Sequence, residues 1–188
     1  MTKPLMVHVI TNFAGVGGAE MMLARLIQCT EQQYKHVIIA LMKTSEVYQS
    51  TLDRCQAHYA LDWNGINTLG TVSKLRTLLK KLQPATVQCW MYHANALTSL
   101  SIIGLAQKPK VVWGIHHSLA SPKDESISTK IALGLSKILS QQASAIIYCA
   151  HSSMQQHQAF GFKNANSKVI ANGVFLDKFQ PNPQLHEP

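Results

Sequence analysis

Acidic residues are scarce in this sequence: 9 Asp and Glu stand against 17 Lys and Arg, for a formal net charge of +8. A basic balance admits phosphate-bearing ligands or an anionic membrane, and also nucleic acid. The basic residues are scattered, however, and only 74–81 is locally dense. No basic run is interleaved with aromatics, so no nucleic-acid partner is expected. Cysteine is also sparse. Cys29, Cys55, Cys89 and Cys149 show no C-x-x-C spacing and mostly sit in apolar patterns, as free thiols do in a reducing compartment. No apolar run approaches the roughly 18 residues of a membrane span. The run from Pro4 to Ile10 is broken by His8 and ended by Thr11 and Asn12, so it makes no signal-peptide core. There is no internal repeat and no low-complexity segment.

What remains is ordinary for one globular domain: 188 residues, 46% of them hydrophobic, enough to bury a sizeable core. Short apolar runs rich in Val and Ile alternate with amphipathic patterns. The runs predict strands over 5–11, 36–42, 57–62, 86–91, 110–116, 145–149 and 168–171. Apolar residues at three- and four-residue spacing predict helices over 19–32, 46–56, 68–82, 94–106, 126–142 and 152–160. The segment 118–124 reads as a polar loop, and Asn64-Gly65 and Asn172-Gly173 as turns. Strand-helix alternation from end to end predicts an α/β fold: a Rossmann-like parallel sheet with helices on both faces. Ligands of such sheets sit at the carboxyl ends of the strands, so the residues just after each strand carry the chemistry.

The first strand runs straight into a glycine-rich turn, Asn12-Phe-Ala-Gly-Val-Gly-Gly-Ala-Glu20. Glycines let backbone N–H groups approach a phosphate, and a helix N-terminus adds partial positive charge. The pattern lacks the Gly-Lys-Ser/Thr of a P-loop. It also lacks the third glycine of the dinucleotide fingerprint, where Glu20 stands instead, and the second strand ends as Leu41-Met42-Lys43 without an acidic residue. A tight turn with Glu20 favouring the helix dipole is the plainer reading of the same residues.

Histidines follow three other strands. His116 and His117 open the polar loop together with Ser118, His93 follows Trp90-Met91-Tyr92, and His151 follows Cys149-Ala150. Imidazole at a strand end donates to a ligand oxygen or acts as general acid or base. Neighbouring residues at a strand end point to opposite faces, so one of His116 and His117 is expected to enter the site. His151 reads as structural. No Ser/His/Asp set, no Asp-x-Asp and no H-E-x-x-H is present.

Taken in order, these segments resemble glycosyltransferase family 4. Gly17-Gly-Ala-Glu20 is similar to the family's Gly-Gly-x-Glu loop. Pro84-Ala-Thr-Val-Gln-Cys-Trp-Met-Tyr-His-Ala-Asn95 resembles its fourth strand and next helix start, and Val111-Val-Trp-Gly-Ile-His116 its strand ending in an active-site histidine. Ala145-Ile-Ile-Tyr-Cys-Ala-His-Ser152 is similar to the segment in which a serine follows a strand. Val169-Ile-Ala-Asn-Gly-Val174 through Phe179-Gln-Pro181 resembles the exit from the family's first domain, with Phe175 where an aspartate is usual.

The resemblance implies a GT-B architecture, in which two Rossmann-like domains face each other across a cleft. It implies metal-independent, anomer-retaining transfer of a sugar from a nucleotide-sugar to a glycan or lipid-linked acceptor, with no cofactor. This chain would be the N-terminal, acceptor-side domain over 1–174, with an exit linker over 175–188. The donor-binding C-terminal domain and its Glu-x7-Glu pair would be absent. By position, Gly17 and Gly18 would face the donor diphosphate and His116 would be catalytic, beside the transferred sugar or acceptor. Glu20, His93, Asn95, His117 and Ser118 would be acceptor-side candidates, and Asn172 and Gly173 the hinge. A cytoplasmic location follows, with peripheral contact at the inner membrane face left open. The basic helix with Lys74, Arg76, Lys80 and Lys81 is a candidate for that contact, against the plainer reading of a surface helix packing its leucines. The alternative function is a non-catalytic binding module completed by a separate nucleotide-binding chain.

Overall fold

The computed structural model describes residues 3–119 and 121–173. Val174 and the linker expected over 175–188 lie outside the described residues. Seven strands form one sheet: β1 (Leu5–Ile10), β2 (Lys35–Ala40), β3 (Ala57–Ala60), β4 (Thr86–Trp90), β5 (Lys110–Ile115), β6 (Ala145–Tyr148) and β7 (Ser167–Val169). All neighbours pair in parallel, in the order β3-β2-β1-β4-β5-β6-β7. Among the described residues, six α-helices connect them: α1 (Gly18–Thr30), α2 (Gln49–Leu52), α3 (Thr68–Leu82), α4 (Met91–Ser101), α5 (Ile127–Leu139) and α6 (His151–Phe160). The expected α/β sheet with helices on both faces is therefore present.

The period of two along each strand sorts side chains into two cores. Ile10 and Ile38 face α1 and α2, and pack with Leu23, Ile27 and Trp90. Val7, Val9, Val87 and Trp113 face the other way, and pack with Leu75 and Leu79 of α3 and Leu133 of α5. Full burial of each such aliphatic side chain contributes about 1.5–3 kcal/mol. Strand order reverses between β1 and β4. A crevice opens at such a switch, outside the carboxyl ends of the strands. The glycine turn follows β1 and Trp90 ends β4 at this switch, and His116, after β5, stacks on Trp90.

Several element ends differ from the sequence reading, each for a local reason. The helix expected over 46–56 is a 3₁₀ turn, Glu46–Tyr48, followed by the short α2. Arg54 and Cys55 close it with tight backbone bonds to Thr51 and Leu52, and Gln56 is already held by the His36 carbonyl. Helix α4 starts three residues earlier than expected and ends five earlier. Gly104 at φ +69 turns the chain away, and the Arg76 guanidinium takes up the Ser101 and Ile103 carbonyls. Helix α5 begins after Ser126, whose hydroxyl accepts from the Thr129 N–H. The polar loop over 118–124 contains a 3₁₀ turn, Pro122–Asp124, and buries Leu119. All four cysteines are free, with Cys89 buried and Cys29 exposed.

Candidate functional site

The loop after β1 is anchored before its glycines begin. Phe13 pairs with the loop after β2 through its N–H to Lys43 and its carbonyl to Ser45. Its ring stacks on Tyr48 at 4.1 Å, and the Tyr48 hydroxyl donates to the Gly15 carbonyl at 3.0 Å. Desolvation, with the nearby Glu20 carboxylate, raises the Tyr48 phenol above its usual range. Gly17 caps α1 in extended backbone, and neither it nor Gly18 has a positive φ. A Cβ on Gly18 or Gly15 would meet nothing, whereas one on Gly17 would strike the Glu20 carboxylate. These glycines therefore leave bare backbone at a helix N-terminus rather than enabling an unusual turn. Glu20 lies over Gly17, beside the N–H groups that an anion would seek.

His116 follows β5 and lies flat on Trp90 of β4, with ring centroids 5.0 Å apart and planes 15° apart. Gly114, opposite Trp90 in the β4–β5 register, makes this possible. A Cβ there would come within 3.2 Å of the His116 Nε2 and 3.3 Å of the Cys89 carbonyl. His116 Nδ1–H donates to the Asn172 side-chain oxygen at 3.1 Å, and its backbone N–H points to the Met91 sulfur at 3.3 Å. Met91 holds φ +71, an uncommon conformation for a non-glycine residue, at the junction of β4 and α4. Burial lowers the His116 pKa, opposed by the Asn172 bond. Its imidazole is thus neutral near physiological pH, with Nε2 left as an acceptor.

Behind Trp90 runs a buried polar relay. An indole N–H only donates, so Trp90 Nε1–H, 3.4 Å from His8 Nδ1, fixes that nitrogen as an acceptor. His8 Nε2–H then donates to His36 Nδ1 at 3.0 Å, and His36 Nε2–H to the Thr30 hydroxyl at 3.1 Å. The Thr30 hydroxyl closes the series on the Leu26 carbonyl. Burial, with His36 alongside, pushes the His8 pKa down to about 3, and burial lowers that of His36.

The remaining sequence candidates spread along the edge. His117 is exposed, its Nε2 3.1 Å from the Glu125 carboxylate, and its carbonyl accepts from Ser153. Ser118 is exposed. His93 turns away from His116, against Trp63 at 5.1 Å, and burial lowers its pKa. Asn95 is fully buried in α4, with no hydrogen-bond partner for its side chain. Asn172 and Gly173 are both held: Asn172 by His116, and the Gly173 carbonyl by Arg25 of α1 at 2.7 Å. His151 is exposed at the start of α6. The structure thus joins His116 to Asn172 and Glu20 to Gly17, and leaves His93, Asn95, His117 and Ser118 outside that group. Sequence reasoning passed over Trp90, Gly114, Tyr48 and Arg25. Two carried a signal: Gly114 breaks an apolar strand two residues before His116, and Trp90 ends its own strand. Two surface hollows of about 480 and 500 Å³ lie at the opposite, amino edge of the sheet, beside Pro84 and Pro109 and beside Lys35 and His36.

A family model described as Glycosyltransferase Family 4 matches residues 16–178, from the glycine turn past Asn172-Gly173. The chain belongs to glycosyltransferase family 4. No curated protein matches this family 4 chain in sequence. Solved structures share its fold. HepE of Anabaena, in complex with UDP, superposes with a TM-score of 0.72 at 16% identity, over 97% of this chain and 47% of HepE. The lipopolysaccharide outer core galactosyltransferase WaaB gives 0.71 at 14% identity, over 98% of this chain and 50% of WaaB. A glycosyltransferase from Rickettsia africae gives 0.65 at 14%, over 98% and 48%. The family 4 chain therefore spans about half the length of the structures it resembles.

Proposed function

We propose that this chain forms the acceptor-side wall of the cleft in a retaining, metal-independent glycosyltransferase that moves a sugar from a nucleotide-sugar to a glycan or lipid-linked acceptor. The observation that carries the reading is His116: a neutral imidazole stacked on Trp90 beside the topological switch, in a chain that matches the family from the glycine turn onward. HepE was solved with UDP and with UDP-glucose, which supports a nucleotide-sugar as the donor. In the transfer, a bond forms from an acceptor hydroxyl oxygen to the anomeric carbon while the bond to the nucleoside diphosphate breaks, and the hydroxyl proton leaves with the departing diphosphate. Gly17 and Gly18 offer bare N–H groups at the α1 N-terminus to that diphosphate, once Glu20 swings off Gly17. His116 Nε2 accepts a hydrogen bond from a sugar or acceptor hydroxyl, with the ring fixed by Trp90 below and Asn172 at Nδ1.

One wall alone positions neither donor nor leaving group, so this chain by itself turns over negligibly. The test measures sugar release and transfer from a panel of nucleotide-sugars. It uses this chain alone and a polypeptide that joins it to a donor-binding domain. Activity only in the joined form, falling about a hundredfold or more in His116→Ala, is expected. Robust transfer by the chain alone would overturn the one-wall reading, and unchanged kcat/KM in His116→Ala would remove His116 from the chemistry. Co-purification with a separate nucleotide-binding chain, and no transfer in any joined form, favours the non-catalytic module instead.

A further inference from the structure

We propose that the outward ridge of α5 docks this domain on an anionic phospholipid surface. At 100° per residue, Ile127, Ile131, Gly134 and Ile138 fall within one narrow stripe of the helix. The opposite face, with Ala132, Leu133, Ser136 and Leu139, is buried against the sheet and α4. A stripe at the centre of the free face is ordinarily polar. Here Ile127, Ile131 and Ile138 are 78%, 60% and 72% exposed. They stretch about 16 Å along the helix, at 1.5 Å per residue.

Charge identifies the occupant. Lys130 and Lys137 flank the isoleucines on one side, and Lys123 lies in the turn before the helix; all three are exposed. Lys137 leans over the Phe160 ring of α6, with its ammonium 5.5 Å from the ring centroid. From Ser126 to Gly173 the chain carries Lys130, Lys137, Lys163 and Lys168, and no aspartate or glutamate. The acidic residues nearest in the chain are Asp124 and Glu125, and the Glu125 carboxylate meets His117. Bare isoleucines beside lysines with long apolar stems suit a bilayer interface. The isoleucines enter the acyl boundary while the ammonium groups stay with lipid phosphates. No helix among the described residues is long and apolar enough to cross a membrane, so the contact is peripheral.

The basic helix α3 offers less of this surface: its exposed Leu69, with Ile66 just before it, lies at the N-terminal end ahead of the lysines. Its Leu75 and Leu79 are buried in the core, and Arg76 caps α4. Its exposed positions from Ser73 to Lys81 are Ser73, Lys74, Thr77, Lys80 and Lys81, with no apolar side chain to insert.

The test is co-sedimentation of the full chain with vesicles of phosphatidylglycerol mixed with phosphatidylcholine, and with phosphatidylcholine alone. Binding only to the anionic vesicles, weakened by salt, is expected. It should fall about tenfold or more in Ile127→Ser/Ile131→Ser/Ile138→Ser, and likewise in Lys123→Ser/Lys130→Ser/Lys137→Ser. Lys74→Ser/Lys80→Ser/Lys81→Ser should retain binding. All three sets replace exposed side chains, and thermal melts check that each variant stays folded. Absence of binding, equal binding to neutral vesicles, or loss in the α3 set alone would overturn the α5 surface. So would a concentration-dependent dimer that the isoleucine set abolishes, because the ridge would then meet a second copy. Vesicle binding needs no sugar transfer, so its failure leaves the transfer reading untouched.

Discussion

Trp90 holds His116 from below: their rings stack at 5.0 Å, and the indole N–H is itself directed at His8. The histidine at the crevice therefore rests on a ring whose orientation is set by a buried relay ending at Thr30. Trp90→Phe keeps a ring beneath His116 but removes the indole donor to His8 Nδ1. Leaving that buried acceptor unpaired should cost about 1–3 kcal/mol, read as a lower denaturant midpoint with an unchanged slope. Equal stability of the variant would show that the 3.4 Å contact contributes nothing.

The buried neutral histidines make stability depend on pH. In the unfolded chain each binds a proton below about 6.5, whereas in the fold His8 does so only near 3 and His36, His93, His116 and His157 also titrate lower. Between those values the unfolded state holds more protons. The stabilisation is therefore complete above about pH 6.5 and is lost as pH falls. His8 alone, fully buried, accounts for a slope of about 1.4 kcal/mol per pH unit once pH is well below 6.5. Denaturation across this range should show the fall, with a shallower slope in His8→Leu. A flat profile would contradict the neutral relay.

Gly18→Ala separates the folding role of the glycine turn from its proposed binding role. Gly18 opens α1, its φ is not positive, and a Cβ there meets nothing, so alanine should stabilise the fold by about 0.5–1 kcal/mol. The same methyl would stand between backbone and an approaching diphosphate. In a polypeptide carrying the donor-binding domain, the affinity for UDP should therefore drop while the melting temperature rises. A rise in both would mean that no phosphate approaches this turn.

Arg25 and His116 together hold the chain where it leaves β7. Arg25→Ala removes the guanidinium from the Gly173 carbonyl without opening a core, because the bond is exposed. Limited proteolysis near Gly173 should quicken in Arg25→Ala, with global stability changed by no more than about 0.5 kcal/mol, and quicken further in Arg25→Ala/His116→Ala. Unaltered cleavage rates would mean that the two contacts do not hold the segment.

Local periodicity by itself determined the seven strands, the order of the helices and the glycine turn. Each is written in a few consecutive residues: α3 spans Thr68–Leu82 as its leucine spacing predicts, because Leu75 and Leu79 need one face and Pro84 forbids continuation. Ordered strand-end motifs also carried the family, since strand ends converge on one edge in any parallel sheet. Only the tertiary structure decided what those ends do to one another. Trp90 reaches His8 across 82 positions because β1 and β4 are neighbours at the switch. His116 folds back onto Trp90 because β4 and β5 bring Trp90 opposite Gly114, where no side chain intervenes. Asn95, polar in sequence and two residues past His93, is buried by α4 packing on its neighbours. Helix α4 ends where an arginine of α3 meets its carbonyls. Burial, hydrogen-bond partners and helix ends of this kind depend on register between distant segments, and a repeat of two or 3.6 residues carries no record of register.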